Sequence, residues 1–284
     1  MQQELIKRDH FVAPNISKCP QYSPFRYPGG KTWIHPYARK WLLTYPNKKL
    51  IEPFAGGGYV SLTAAIENLS THIVMVELDE NVASVWKTIF SEKNKWLCDK
   101  ILSLNLIEKE INKILKKTEN SVYDRGLATL LTNRIVRGGI LAPGSGRIKN
   151  GENGKGIKSR WYPETLVRRI NKIAKCSERI TFIQGDGFDV IEMYKNKEDA
   201  LFFVDPPYPK AGKRLYNHYE IDNELLFKKL SQIKGNFLLT YDDSNIIFDL
   251  IKSHNFEYKK VLMSTTHHRK KFELLISKDI SWLS

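Results

Sequence analysis

Residues 49–91 read KLIEPFAGGGYVSLTAAIENLSTHIVMVELDENVASVWKTIFS, and the rhythm of that stretch decides the fold class. Lys49–Ile51 is a short apolar run ended by Pro53 and three glycines, which reads as a buried strand. Tyr59–Asn68 then reads as a helix, His72–Glu77 as a second strand and Glu80–Phe90 as a second helix. The rhythm returns between Ile180 and Ile251. Strands are expected at Ile180–Gln184, Ala200–Val204 and Asn236–Thr240, and helices near Gly187–Tyr194, Asp222–Ile233 and Ser244–Lys252. Apolar strands that alternate with helices bury both faces of a parallel sheet, so the class is α/β, doubly wound. Tyr258–Met263 and Phe272–Ser277 close the chain as an antiparallel hairpin.

The middle of the chain breaks this pattern. Leu97, Ile101, Leu104, Ile107, Ile111 and Ile114 recur at helical spacing across Lys95–Lys117, and Val122–Arg137 reads as a further helix. Gly138–Arg160 is rich in Gly, Asn, Lys and Ser and reads as a loop; Pro163 suits the first position of the helix that follows. Residues 1–91 and 166–284 are therefore expected to form one α/β body, interrupted by a helical insertion at 92–165.

Charge narrows the partners. The 284 residues carry 45 Lys and Arg against 31 Asp and Glu, a formal net charge of +14. Such a balance favours a polyanion, either nucleic acid or an anionic membrane surface. No apolar run approaches the ~20 residues of a membrane span, and Met1–Cys19 lacks the apolar block of a signal peptide. Nucleic acid is thus the expected partner, with no membrane. The excess is concentrated: Arg134 to Arg179 holds 12 Lys and Arg against 3 Glu. A Gly-rich basic loop there suits phosphates, which makes Arg134, Arg137, Arg147, Lys149, Lys158 and Arg160 candidate DNA contacts. Cys19, Cys98 and Cys176 are widely spaced, so no disulfide framework or zinc site is suggested and a reducing cytoplasm fits best.

Two motifs carry chemistry. Glu52-Pro53-Phe54-Ala55-Gly56-Gly57-Gly58 follows a strand and opens a helix; its glycines permit a tight turn and close approach of a ligand to the backbone. Glu77 ends the next strand 21 residues after Gly56, where a carboxylate accepts hydrogen bonds from ribose hydroxyls. Asp205-Pro206-Pro207-Tyr208 follows Leu201–Val204 directly, at the strand end where α/β folds bind ligands. An aromatic amine is a poor nucleophile because its lone pair is delocalised into the ring. A carboxylate and a backbone carbonyl can accept its two hydrogens and steer the nitrogen toward a more nucleophilic, tetrahedral form. The prolines stiffen the turn and leave only carbonyls to offer, and Tyr208 supplies a flat face for a base.

Phe54-x-Gly56-x-Gly58 together with Asp205-Pro206-Pro207-Tyr208 resembles the adenine-specific DNA methyltransferases. The order of segments is similar to that of the bacterial and phage DNA adenine methylases, with Tyr27-Pro28-Gly29-Gly30-Lys31 standing where that subgroup has a segment ending Gly-Gly-Lys. The resemblance runs from about Phe25 to Ser277. It implies a Rossmann-like methyltransferase sheet with a target-recognition domain in the helical insertion, and S-adenosyl-L-methionine as methyl donor, leaving S-adenosyl-L-homocysteine. It implies cofactor contacts from Tyr27, Lys31, Phe54, Gly56, Gly58 and Glu77, with Asp186 at the cofactor's adenine. Asp205 and Pro206 would orient the target amine and Tyr208 would stack on the base, while Tyr216 and Tyr219 would line the loop that receives it. Leu239–Asp243 is also family-like, with a structural role expected. Double-stranded DNA is the implied substrate, in the bacterial or phage-infected cytoplasm, and a companion restriction endonuclease is a candidate partner. Neither the recognition sequence nor the oligomeric state is written in these motifs.

The expected mechanism grips the duplex through phosphates, rotates the adenine out of the stack at a cost of a few kcal/mol, and lets its amine attack the sulfonium methyl in line. No metal or covalent intermediate is needed. Gly30-Lys31-Thr32 is not a phosphate-binding loop, because Phe25 stands where that motif needs glycine. Cys19-Pro20 has the wrong order for the Pro-Cys nucleophile of carbon-5 cytosine methyltransferases. His267–Lys271 reads as the solvated tip of the last hairpin, and Trp161, beside Arg160, as an aromatic close to DNA. Rival readings are methylation of RNA adenine or of cytosine's 4-amino group, which Asp rather than Ser at 205 disfavours; a binding-only subunit; and a methyltransferase for proteins or small amines.

Overall fold

Ala200–Val204 is buried at every position, which only a strand covered on both faces can be. It lies inside an eight-stranded sheet. In the computed structural model the protein is described over residues 10–12, 19–26, 31–142, 144–208, 221–264 and 270–283. The strands are β1 (His10–Val12), β2 (Lys49–Glu52), β3 (His72–Glu77), β4 (Ile180–Gln184), β5 (Ala200–Val204), β6 (Asn236–Asp242), β7 (Glu257–Ser264) and β8 (Lys270–Ser277), in the spatial order β1-β7-β8-β6-β5-β2-β3-β4. Strands β2 to β6 are mutually parallel, and β8 is antiparallel to both its neighbours, β6 and β7. This is the doubly wound, Rossmann-like sheet with a terminal hairpin that the sequence implied. The short strand β1, which pairs parallel with β7, was not expected.

From β2 the chain winds outward to β3 and β4, then returns to β5 and β6 on the other side. The switch point therefore falls between β2 and β5, paired through Ile51 and Phe202. Ligands of open α/β sheets bind outside the carboxyl ends of the strands at such a point. The glycine turn leaves β2 there, and Asp205–Tyr208 leaves β5 there.

Helices cover both faces. In chain order they are α1 (His35–Thr44), α2 (Tyr59–Ile66), α3 (Glu80–Ile89), α4 (Asn94–Ser103), α5 (Glu108–Leu115), α6 (Val122–Ile135), α7 (Pro163–Ala174), α8 (Gly187–Tyr194), α9 (Asn223–Gln232) and α10 (Asn245–Ser253). Their starts are written locally. The Asp79 carboxylate accepts from the N–H groups of Asn81 and Val82, Asp222 caps α9 through Leu225 N–H, and Pro163 opens α7. One face of the sheet packs Leu50, Ile73, Met75, Leu201 and Phe203 against α1, α2 and α3; the other packs Ile51, Val74, Phe202, Val204 and Leu239 against α8, α9 and α10.

The insertion differs from the sequence reading in one respect: the apolar stripe of Lys95–Lys117 is two helices, because the backbone is extended at Leu104 and Ile107. Its helices pack into the core beside the sheet. Leu97, Cys98 and Ile101 of α4 and Leu127 and Leu130 of α6 share one core with Val85, Trp86 and Ile89 of α3. At Gly126 helix α6 lies so close to α3 that an added Cβ would be 2.7 Å from Thr88 Oγ1. A separate small cluster, Leu106, Ile111, Leu131, Ile135 and Val136, carries α5 and the start of the basic loop. That loop is built from 3-10 turns and a bridge between Val136 and Arg147. Among the described residues no helix is long and apolar enough to cross a membrane.

Candidate active site

The glycine turn is fixed from beneath. Gly58 has φ +61°, in the left-handed region, and a Cβ there would lie 2.6 Å from Met75 Cε and 3.3 Å from Trp86 Cζ2. Trp86 is fully buried and its Nε1–H donates to the Gly56 carbonyl at 2.9 Å. Gly56 has φ +49°, but its missing Cβ would point into open space. Glu77, at the end of β3, accepts from Gly56 N–H at 2.9 Å and Asp79 N–H at 2.8 Å. Burial, aided by the Asp79 charge, pushes its carboxyl up to about 7 against the pull of those N–H donors. Phe54 sets its ring edge-on to Phe188 at 5.8 Å. Asp186 is exposed and caps α8 through Phe188 N–H at 2.8 Å.

Glu52, the first residue of the same motif, is a buried carboxyl that sequence reasoning passed over. It is 2 % exposed and accepts from Ser61 N–H at 2.8 Å, in the first turn of α2. Burial raises it to about 8, with the Asp205 charge adding to the shift and the Ser61 contacts opposing it.

The β5 turn gathers polar groups from four parts of the chain, three of them charged. Asp205 Oδ1 lies 3.0 Å from Lys31 Nζ and accepts the Thr240 hydroxyl at 2.7 Å and the Tyr208 hydroxyl at 3.4 Å. Lys31 Nζ also donates to Glu273 Oε2 at 3.0 Å and to the Tyr208 hydroxyl. Tyr208 stacks on Tyr241 with ring centroids 5.2 Å apart and planes 20° from parallel. Burial works against the Lys31 charge, but Asp205, Glu273 and Tyr208 outweigh it and hold the ammonium well above the usual lysine range. Burial raises Asp205, with Lys31 and Thr240 pulling it down and Glu273 pushing it up. Lys31, expected at the cofactor, thus has its ammonium on the carboxylate of the β5 turn. Thr240 and Tyr241, expected to be structural, touch that turn directly. Glu273 carries no motif and was missed; only the register of β8 brings it here.

Other expected residues fall elsewhere. Arg134 is 6 % exposed, and its Nη2 donates to the Pro24 carbonyl beneath the surface. Burial, with Arg169 and Arg26 nearby, lowers its guanidinium to about 9. Arg147 pairs with Glu108 at 2.6 Å and donates to Asn112 at 3.0 Å. Arg137, Lys149 and Lys158 are exposed, and Arg160 and Trp161 are half-buried. Tyr27, Tyr216, Tyr219 and His267–Arg269 lie outside the described residues.

Residues 23–26 join the glycine turn to the insertion. Ser23 Oγ donates to Gly57 O at 2.6 Å, and Phe25 packs on Trp86 at 5.6 Å. Asn133 of α6 accepts Arg26 N–H at 2.8 Å and donates to the carbonyls of Arg26 and Gly139, at 2.8 and 2.7 Å. Arg169 of α7 donates to Ser23 O at 3.0 Å.

The glycine turn and the carboxylate–aromatic turn thus lie side by side at the switch point of the sheet. Residues 27–265 match the family model described as D12 class N6 adenine-specific DNA methyltransferase. The chain belongs to that family. The methyltransferase is 22 % identical over 272 residues to the type II methyltransferase M.MjaIII of Methanocaldococcus jannaschii, covering 85 % of this chain and 91 % of the relative. Among solved structures it is similar to the rRNA methyltransferase aviRa of Streptomyces viridochromogenes, at 10 % identity and TM-score 0.43 over 93 % of this chain and 95 % of that one. It is also similar to the precorrin-6y C5,15-methyltransferase of Geobacter metallireducens, at 11 % identity and TM-score 0.38 over 95 % and 93 %. The D12 methyltransferase is thus an adenine-specific DNA methyltransferase.

Proposed function

We propose that this D12 methyltransferase transfers a methyl group from S-adenosyl-L-methionine to the 6-amino group of adenine at a defined site in double-stranded DNA. The base is rotated out of the duplex, and its amine takes the methyl directly, without a covalent enzyme intermediate. The observation that carries the reading is Asp205. Its Oδ1 is held by Lys31 and Thr240 at the end of β5, beside a Tyr208 ring already stacked on Tyr241.

The residues present fit the cofactor. The open side of Gly56, the half-buried Glu77 carboxylate and the Phe54 ring offer close backbone approach, an acceptor for ribose hydroxyls and an apolar wall. Asp186 stands at the next strand end for the cofactor's adenine, and Tyr27 joins the set by its place in the motif. When bound, the cofactor supplies a sulfonium methyl that is already activated, so positioning dominates catalysis. Asp205 and the Pro206 carbonyl accept the two amine hydrogens, and Tyr208 stacks on the ring. The methylated amine is acidic, so Asp205 serves as acceptor and orienter and need not be a strong base.

Target recognition is assigned to the helical insertion, residues 92–165. Arg137, Lys149, Lys158 and Arg160 meet the phosphates there, with Arg147 held ready by Glu108, while Arg134 braces the loop from below. Tyr216 and Tyr219 are assigned to receiving the base only by the resemblance of their sequence segment. The type II relative makes a restriction–modification partner the natural companion, in the cytoplasm of a bacterium or infected cell.

The test is single-base methylation sequencing of DNA from a methylation-free bacterial host expressing the protein, beside Asp205→Ala. Methyladenine at one recurring motif, lost in the variant, is the expected result. Unmodified DNA from soluble, expressed protein would overturn the proposal. Loss of cofactor affinity in the Asp205 variant would overturn the role given to Asp205.

A further inference from the structure

Glu273 reaches the site by topology. Strand β8 runs antiparallel to β6, so its first residues lie level with the carboxyl ends of β5 and β6. The register sets Glu273 opposite Asp242. Cross-strand partners share a face, as do residues two apart, so Glu273 and Thr240 face the same side of the sheet. The chain thereby delivers a second carboxylate, 7 % exposed, to the turn that holds Asp205. Its oxygen lies 3.0 Å from Lys31 Nζ and 3.3 Å from the Tyr208 hydroxyl. Lys31 is 242 residues away in sequence and Tyr208 is 65.

Stability alone is a poor reason for this arrangement. Desolvating charges is costly, and a buried ion pair is often matched or bettered by apolar side chains of similar volume. Here one ammonium is shared between two carboxylates, and one of them is the oxygen anchor of the base-orienting turn. With Glu273 present, Lys31 is drawn to a fixed point between the two acids. It donates to Asp205 Oδ1, where the Thr240 hydroxyl also donates, while the one proton of the Tyr208 hydroxyl is shared between Asp205 Oδ1 at 3.4 Å and Glu273 Oε2 at 3.3 Å; that leaves Asp205 Oδ2 for the target amine. Without the Glu273 charge the ammonium would close on Asp205 alone and compete with the amine for it.

We propose that Glu273 is a positioning residue for methyl transfer: through Lys31 and the Tyr208 hydroxyl it fixes the orientation in which Asp205 and Tyr208 receive the adenine. The inference rests on the functional reading above. It gives Lys31 the role of a shared cation at the β5 turn, beyond any contact with the cofactor.

The two charges act on Asp205 in opposite senses. Lys31 lowers its carboxyl and Glu273 raises it. Among the described residues the other titratable groups facing it are Tyr208 beside it, Tyr241 from β6 and Glu52 from β2. Burial keeps both tyrosines well above the usual phenol range and Glu52 up at about 8, so all three are neutral over the acid side of the profile. An acid limb that reports Asp205 therefore moves to lower pH in Glu273→Gln and to higher pH in Lys31→Met.

The experiment is single-turnover transfer of labelled methyl from S-adenosyl-L-methionine to unmethylated genomic duplex DNA. The full chain is used in excess and followed from pH 5.5 to 9. Calorimetric cofactor affinity and duplex affinity are measured on the same preparations. Glu273→Gln is expected to slow the transfer step on the order of 10–100-fold, with cofactor and DNA affinities within about threefold of the unaltered protein. Its acid limb should move down and that of Lys31→Met up, while Glu273→Asp should recover part of the rate. The proposal is overturned by an unchanged rate in Glu273→Gln, by limbs moving in the same direction, or by a loss of cofactor affinity that accounts for the slower rate. Should Glu273→Gln fail to fold, Glu273→Asp and Tyr208→Phe carry the test, both expected to slow transfer at unchanged cofactor affinity. If the unaltered protein methylates no adenine in this DNA, the functional reading falls and takes the inference with it. If it does and the variants match it, only the inference falls.

Discussion

Gly56 and Gly58 differ by two positions and should fail in opposite ways when given a methyl group. Both have positive φ, so alanine at either position costs roughly 1–2 kcal/mol in backbone conformation. At Gly58 the new Cβ would also press on Met75 at 2.6 Å and Trp86 at 3.3 Å. Met75 can bend, but Trp86 is fully buried and tied to the Gly56 carbonyl, so overpacking adds about 1–3 kcal/mol. Gly58→Ala should therefore lose roughly 2–5 kcal/mol of folding stability, and Gly56→Ala only the backbone part. Binding should rank them the other way. The Gly56 methyl would project into the open side assigned to the cofactor and weaken its affinity about tenfold or more, at least ~1.4 kcal/mol. Urea unfolding by tryptophan fluorescence gives the first quantity and calorimetric titration with S-adenosyl-L-methionine the second. A Gly56→Ala protein that binds the cofactor as tightly as the parent would refute the assignment of this turn. A Gly58→Ala protein no less stable than Gly56→Ala would refute the packing argument.

Glu52 ties stability to pH. Its folded carboxyl titrates near 8 against 4.5 for an ordinary one, so the folded state holds the extra proton in between and stability falls as pH rises through that window. Glu52→Gln should flatten the decline in melting temperature from pH 5 to 8.5 and gain on the order of a few kcal/mol at the alkaline end; parallel curves would count against it. Asn133→Ala removes three hydrogen bonds between α6, Arg26 and Gly139 and should cost about 2–4 kcal/mol by urea unfolding, with Asn133→Asp, which lacks the two donors, no rescue. Removing Lys149 and Lys158 together should make the log–log dependence of duplex affinity on salt shallower by about 2, and an unchanged slope would take both residues off the phosphates.

Strands β2 to β6 were legible because each is built around an apolar stretch bounded by polar or turn residues, whereas the short parallel strand β1 carried no such signal. The bounds of β3, β4 and β5 are those the sequence suggested. The break between α4 and α5 was not, because Leu104 and Ile107 keep the apolar spacing while their backbones turn out of helix. At the site, Asp205 and Tyr208 were readable since Pro206 and Pro207 pin them to a strand end. Glu52 stood in the quoted motif, yet its burial depends on the first turn of α2. Glu273 sits in an ordinary alternating strand, and nothing local marks it as the partner of Lys31. The count of basic residues picked out Arg134 but could not tell a guanidinium spent on a buried carbonyl from one that faces solvent.

The ties at residues 23–26 bear on modularity. Asn133 and Arg134 on α6, and Arg169 on α7, hold a peptide that precedes the glycine turn and is itself hydrogen-bonded to it. Residues 92–165 are therefore not a cassette. A chimaera that grafts this segment onto another scaffold would strand Asn133 and Arg134 without the carbonyls they hold, and would strip the donor turn of its buttress. A viable exchange of sequence specificity would have to transplant the 19–26 peptide together with the insertion, or be confined to α5 and the basic loop beyond Val136.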